Sequence, residues 1–164
     1  MKHIKTFEKY SNNIKVIFED IDGPLIPYDE NSDVDYHKFF DDEDKWSKDS
    51  MKNLNNIIDK TNSKLIISSS YRDDKTKSEI LKMMKKAGFK YDIYDMVAND
   101  KSKKRGSDIK KWMENKKIDN FIIIDDNKHD FYDVFSEKNI VKTTHKFGIT
   151  KDIADEAIEK LNIK

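Results

Sequence analysis

Three runs of successive apolar residues punctuate an otherwise polar chain: Val16-Ile17-Phe18, Leu65-Ile66-Ile67 and Phe121-Ile122-Ile123-Ile124. Apolar side chains on consecutive positions, rather than on alternate ones, suit strands covered on both faces. The first strand is predicted over Ile14–Phe18 and the second over Lys64–Ile67. Shorter strands are expected within Tyr91–Val97 and Asn139–Lys142. Between them the apolar positions take a helical spacing. Ser47–Thr61 places Met51, Leu54, Ile57 and Ile58 on one stripe, with Ser47 or Ser50 as cap. Thr76–Ala87 turns Ile80, Leu81, Met84 and Ala87 inward, and Gly88 supplies the stop. Ser107–Asn115 carries Ile109, Trp112 and Met113, and Thr150–Leu161 closes the chain with Thr150 as cap. Residues 1–13 read as a polar lead-in.

Strands that alternate with helices predict an α/β fold: a Rossmann-like, doubly wound, mainly parallel sheet with helices on both faces. Crossovers should be right-handed. Ligands in such sheets sit beyond the carboxyl ends of the strands.

Composition narrows the function classes. At 164 residues the chain has the length of one domain with one core. Charged residues make up 39 %, yet Lys+Arg and Asp+Glu cancel at 32 each, so a global basic field for nucleic acid is absent. Cysteine is absent, which removes disulfides, a thiol nucleophile and thiolate metal sites. No apolar run approaches the ~20 residues that span a bilayer, and the start lacks the apolar core of a signal peptide. The expectation is a soluble, cytoplasmic protein with no membrane partner. Residues 26–49 form a long acidic stretch spotted with aromatic residues, expected to be a solvated loop or small flap.

The three clear strands all end in polar clusters. The first ends in Asp20-Ile21-Asp22-Gly23. Two carboxylates one residue apart on a strand's lip can divide the work of attacking or holding a metal and of moving a proton. Gly23 lets the chain turn sharply and approach a ligand. Glu19 should point to the opposite face from Asp20. The second strand ends in Ser68-Ser69-Ser70-Tyr71-Arg72, where hydroxyls and backbone N–H groups can bond a phosphate oxygen. The third ends in Asp125-Asp126, with Asp130 beyond, which suits a hard cation that prefers oxygen ligands. A basic loop, 99–106, precedes the third helix. Only two arginines occur, Arg72 and Arg105, and Arg persists where a planar fork must grip a carboxylate or phosphate. Brought to one edge, these carboxylates repel one another unless a divalent cation neutralises them, and the hydroxyls and cations favour an anionic ligand.

With these residues in place, the chain resembles the haloacid dehalogenase (HAD) superfamily of phosphohydrolases. The resemblance implies that Asp20 is the nucleophile and Asp22 the general acid/base. It implies Ser68 or Ser69 for the second motif, with Ser68 favoured. It implies Lys103, Lys104 or Arg105 as the motif-three cation, with Arg105 favoured and Lys104 next. It further implies Asp125, Asp126 and Asp130 as the fourth motif. Mg²⁺ would be held by Asp20, the backbone of Asp22, and an acid of the Asp125/Asp126 pair. Phe18–Gly23, Ser68–Arg72, Arg105-Gly106 with Ile109 and Trp112, Ile123–Asp126 and the Val141–Thr150 ending resemble a small subgroup. That subgroup is named for HAD domains of RNA-repair proteins. Glu19, where an apolar residue is usual, and Pro24 depart from its pattern.

The implied protein is a single HAD-like domain over 1–164 with a minimal cap, residues 26–46 and 88–101 offering at most small flaps. The expected activity is a Mg²⁺-dependent phosphatase acting through an aspartyl-phosphate. Its substrate is expected to be a nucleotide, another phosphorylated small molecule or a nucleic-acid end. Arg72 and Gly23 complete the expected substrate contacts. The alternative is a non-catalytic HAD-like domain that binds or sequesters a nucleotide or signalling phosphate. Among the aromatic residues Tyr28, Tyr36, Phe39, Phe40 and Trp46, packing is expected for most and base stacking for some.

Overall fold

The computed structural model describes residues 14–29, 39–100, 103–127 and 130–163. Glu30, Asp33, Asp35 and Tyr36 of the acidic stretch, the 1–13 lead-in and part of the basic loop lie outside the described residues.

Among the described residues five strands form one sheet: β1 (Ile14–Glu19), β2 (Lys64–Ile67), β3 (Ile93–Met96), β4 (Ile118–Asp125) and β5 (Ile140–Lys142). Their order is β3-β2-β1-β4-β5 and every pairing is parallel. The chain winds outward from β1 in one direction, then returns to build the other half from β4. The reversal leaves a crevice between the carboxyl ends of β1 and β4, the place where such sheets bind ligands.

The continuous apolar runs bury as expected. Val16, Ile17 and Phe18, then Leu65, Ile66 and Ile67, then Ile122, Ile123 and Ile124, are all at most 1 % exposed. Alternate side chains enter two cores. Ile17, Leu65, Ile67, Ile122 and Ile124 pack with α1 (Lys48–Thr61), α2 (Lys77–Lys86) and α4 (Lys151–Asn162). Val16, Phe18, Ile66 and Ile123 pack with Ile109 and Trp112 of α3 (Arg105–Met113) and with Phe131.

The caps follow from short polar side chains. Ser47, Thr76 and Thr150 each accept a backbone N–H in the first turn of their helix, and Thr76 with Glu79 completes a capping box. α3 departs from expectation: it begins at Arg105, two residues earlier than the apolar spacing indicates. Gly106 explains the shift. A β-carbon there would lie 2.7 Å from the Asp130 carbonyl, so only glycine lets the first turn press against the segment after β4. β4 is likewise longer than its apolar core, starting at Ile118.

The described end of the acidic stretch folds inward. Phe40 and Trp46 are buried, Trp46 Nε1 donates to the Phe40 carbonyl at 2.9 Å, and Phe40 packs on Tyr71 with ring centroids 4.9 Å apart. Of the 88–101 stretch, the middle is the edge strand β3. No described helix is long and apolar enough to cross a membrane.

Candidate active site

Register brings the acids together. Glu19 of β1 pairs with Ile124 of β4, and the Asp20 N–H donates to the Ile124 carbonyl at 3.0 Å. Asp20 and Asp125 therefore leave neighbouring strands side by side, with Asp126 one residue on. Asp20, Asp125 and Asp126 each offer a carboxylate oxygen, all within 4.8 Å of one another. Burial, then the charge of Asp20, raises the pKa of both Asp125 and Asp126. Three carboxylates this close, two of them nearly dry, form a donor set that fits a hard divalent cation. Asp22 is outside this group and stands on the wall of the same cleft. The Tyr71 hydroxyl donates to its carboxylate, and burial together with that carboxylate raises the pKa of the phenol.

Arg105 supplies the positive charge. Its Nη1 lies 3.1 Å from Asp20 Oδ2 and 3.0 Å from Asp125 Oδ2, and its Nε is 3.4 Å from Asp130 Oδ2. Burial works against its charge, but Asp20 and Asp125 more than offset it and hold its pKa above the usual value. Its guanidinium sits 5.5 Å from the Phe131 ring centroid. Asp20 Oδ1 accepts the Ile21 N–H at 2.8 Å, which fixes the carboxylate's rotation.

Gly23 has a φ of +88°, and a β-carbon there would stand 2.6 Å from Asp126 Oδ2. The turn after β1 thus lies directly against the acid cluster, which is a structural need for glycine; Gly23 does not itself line the cleft. Tyr28 donates its hydroxyl to the same Asp126 oxygen, Oδ2, at 3.0 Å and stacks on His145 with ring centroids 5.2 Å apart.

The other expected residues divide. Lys104 is exposed, pairs with Asp133 at 2.8 Å and does not line the cleft, so of the two basic candidates the geometry brings only Arg105 to the acids. Ser68 and Ser69 are at most 1 % exposed. Ser68 gives both its N–H and its hydroxyl to the Glu19 carbonyl, at 2.9 and 3.3 Å, and Ser69 caps the short turn that follows. Neither lines the cleft; the third serine, Ser70, does. Arg72 stands on the cleft wall, but its donors are directed into the protein, onto the Ser68 and Ser69 carbonyls, Asn99 and Asp108.

A cleft of about 400 Å³ collects Asp20, Asp22, Tyr28, Ser70, Asn99, Arg105, Asp126 and Asn127. The sequence placed Ser70 in the serine cluster but favoured Ser68 and Ser69 over it, and it did not single out Asn99 or Asn127. The signal for Ser70 was the third serine itself, the one beyond the end of the strand where the backbone can turn outward. Glu19, by contrast, is wholly buried, and neither of its carboxylate oxygens has a hydrogen-bond partner among the described residues. Burial first, then Asp20 and Asp125, holds its pKa well above the ordinary range.

A parallel sheet with acidic tips at its switch point, and one arginine set among them, defines an α/β domain with a charged crevice. The chain belongs to the HAD superfamily: residues 16–154 match the family described as the HAD domain in Swiss Army Knife RNA repair proteins. That match carries the coarse class, a HAD-type phosphohydrolase domain. No curated protein and no solved structure matches the chain.

Proposed function

We propose that the protein is a Mg²⁺-dependent phosphatase that hydrolyses a phosphomonoester, with a nucleic-acid end or nucleotide as substrate. The observation that carries this reading is the convergence of Asp20, Asp125 and Asp126 within 4.8 Å, with Arg105 bonded to two of them.

Asp125, Asp126 and Asp20 would hold the cation, which when bound would neutralise the cluster and withdraw charge from a phosphoryl oxygen. Asp20 attacks phosphorus, a bond forms from its carboxylate oxygen, and the bond to the leaving oxygen breaks. Arg105 spreads the charge on the equatorial oxygens. Asp22, oriented by Tyr71, gives the leaving oxygen its proton. It then takes one from the water that attacks the phosphoryl-Asp20 and frees phosphate. Ser70, Asn99 and Asn127 line the cleft where they can hydrogen-bond phosphate oxygens.

Local charge supports a polyanionic substrate. Residues 101–117 contain Lys101, Lys103, Lys104, Arg105, Lys110, Lys111, Lys116 and Lys117 against only Asp108 and Glu114, in a chain of zero net charge. Lys103, Ser107, Lys110 and Lys111 line a groove of about 400 Å³ along α3, the helix whose first residue is in the site, and share it with Asp108, Glu114 and Asp133. A strand whose terminal phosphate enters the cleft can lay its next phosphates there.

A second reading, capture of a phosphorylated ligand without turnover, is favoured by one observation, the unpartnered Glu19 beneath the site. The test is phosphate release from nucleotides and end-phosphorylated oligonucleotides with and without Mg²⁺, beside Asp20→Asn. The proposal expects release that needs both the metal and Asp20. Ligand recovered intact after stabilising the protein favours capture.

A further inference from the structure

We infer that Arg72 and Asp108 are a positioning pair that sets the first turn of α3, and with it Arg105, against Asp20 and Asp125, without either residue touching substrate. This rests on the reading of Arg105 as the cation of a phosphoryl site.

Arg72 joins three segments. Its Nη1 donates to the carbonyls of Ser68 and Ser69, the latter at 2.8 Å, at the end of β2. Its Nη2 donates to Asn99 Oδ1 at 3.2 Å, in the loop after β3, and to Asp108 Oδ2 at 3.0 Å, in α3. Four Nη–H bonds thus meet four protein acceptors, and the fifth donor, Nε, is buried with no hydrogen-bond partner among the described residues. Each side chain of the pair is 3 % exposed, against 18 % for Arg105. A guanidinium so held has no Nη–H left for a phosphate unless it abandons the structure it holds, and its Nε–H is buried away from solvent.

Asp108 is the fourth residue of α3, three beyond Arg105, so the two occupy the same side of one turn. A carboxylate in a first turn also suits the positive end of the helix, and both Asp108 oxygens face the Asp100 N–H at 3.4 Å. Gly106 presses the same turn onto the Asp130 carbonyl. The turn is therefore held from two directions, and the Arg105 guanidinium can reach two acids only while that seat is kept. Displacements of about 1 Å are enough to cost a site on the order of a hundredfold in rate.

The chain's two arginines make the test direct, because ¹⁵N-arginine labelling yields two Nε–Hε signals, assigned by Arg72→Lys. With wild type, Asp108→Asn, Asp108→Glu, Arg72→Lys and the double variant Arg72→Lys/Asp108→Asn, folding is verified by circular dichroism. Asp108→Asn is expected to shift the Arg105 signal and lower kcat by about tenfold to a hundredfold, with KM within about twofold of wild type. The double variant should be no worse than the worse single one, and Asp108→Glu should recover part of the loss. Folded Asp108→Asn with an unmoved Arg105 signal and unchanged kcat overturns the inference. So does a rise in KM, or weaker inhibition by inorganic phosphate, in Arg72→Lys but not in Asp108→Asn, since that pattern means Arg72 holds the substrate. If Asp108→Asn does not fold, the milder Arg72→Lys and Asp108→Glu decide by the same two readouts. A wild type inactive on every phosphomonoester defeats the proposed function, and the Arg105 signal then decides the positioning role alone.

Discussion

Gly23 and Asp126 are in such close approach that a single methyl group on Gly23 would stand 2.6 Å from the Asp126 carboxylate. The same glycine has φ +88°, where any other residue is strained. Gly23→Ala therefore does two kinds of damage. It should destabilise the fold by about 1 kcal/mol or more, and it should push Asp126 out of the acid cluster. The expected result is a lower melting temperature together with loss of Mg²⁺-induced stabilisation. A variant that melts lower but still responds fully to Mg²⁺ contradicts the close-packing account.

Metal should stabilise the protein by relieving the repulsion between Asp20, Asp125 and Asp126. At a Mg²⁺ concentration about a hundredfold above its dissociation constant, linkage gives about 2.7 kcal/mol. Differential scanning fluorimetry with and without chelator measures this. Asp125→Asn and Asp126→Asn should each abolish most of the shift, whereas Lys104→Ala should leave it whole, because Lys104 pairs with Asp133 away from the cleft.

Glu19 predicts an unusual pH dependence. A buried carboxyl whose pKa is raised in the folded state binds its proton more tightly there than in the unfolded chain. Its stabilising protonation is complete below the ordinary value of 4.5 and is lost as pH climbs toward the raised value. Asp125 and Asp126, also raised, act with the same sign. In chelator, stability should therefore decline from about pH 5 towards neutrality. Glu19→Gln should flatten that slope. Glu19→Met, which removes two unpartnered polar atoms from the core, should raise stability at neutral pH by about 1 to 3 kcal/mol. A Glu19→Met protein less stable than wild type would mean that the carboxyl has a partner the fold depends on.

Charge reversal along α3 separates strand from nucleotide. Lys110→Glu/Lys111→Glu should raise KM for end-phosphorylated oligonucleotides by about tenfold or more and reduce the salt dependence of KM. KM for a mononucleotide should move little. Equal effects on both substrates would place the oligonucleotide elsewhere.

Much of the fold was legible because buried parallel strands write themselves as unbroken apolar runs. β1, β2 and β4 are the plainest cases, and a serine and a threonine cap marked two helix starts, those of α1 and α4. The start of α3 was not legible, because Arg105-Gly106 reads as loop until the Asp130 carbonyl shows why glycine is required. The site was half legible. Asp20, Asp22, Asp125 and Asp126 stand where strands end, and strand ends are set by local pattern. Arg72 and the serines were harder, since the same residue types serve substrate and backbone equally well. Which oxygen a guanidinium meets depends on tertiary placement of α3, which no local signal carries. The described end of the acidic stretch before α1 was legible: its charged residues 41–45 face solvent, while Phe40 and Trp46 pack as aromatic residues were expected to.

The most direct test of the central claim is chemical trapping at Asp20. With p-nitrophenyl phosphate the leaving oxygen needs no proton, so Asp22→Asn should form the phosphoryl-enzyme and hydrolyse it slowly. Borohydride reduces an acyl phosphate to an alcohol, and peptide mapping by mass spectrometry locates it. The account predicts homoserine at position 20, dependent on Mg²⁺. Homoserine at another acid, or phosphate release that continues undiminished in Asp20→Asn, would contradict it.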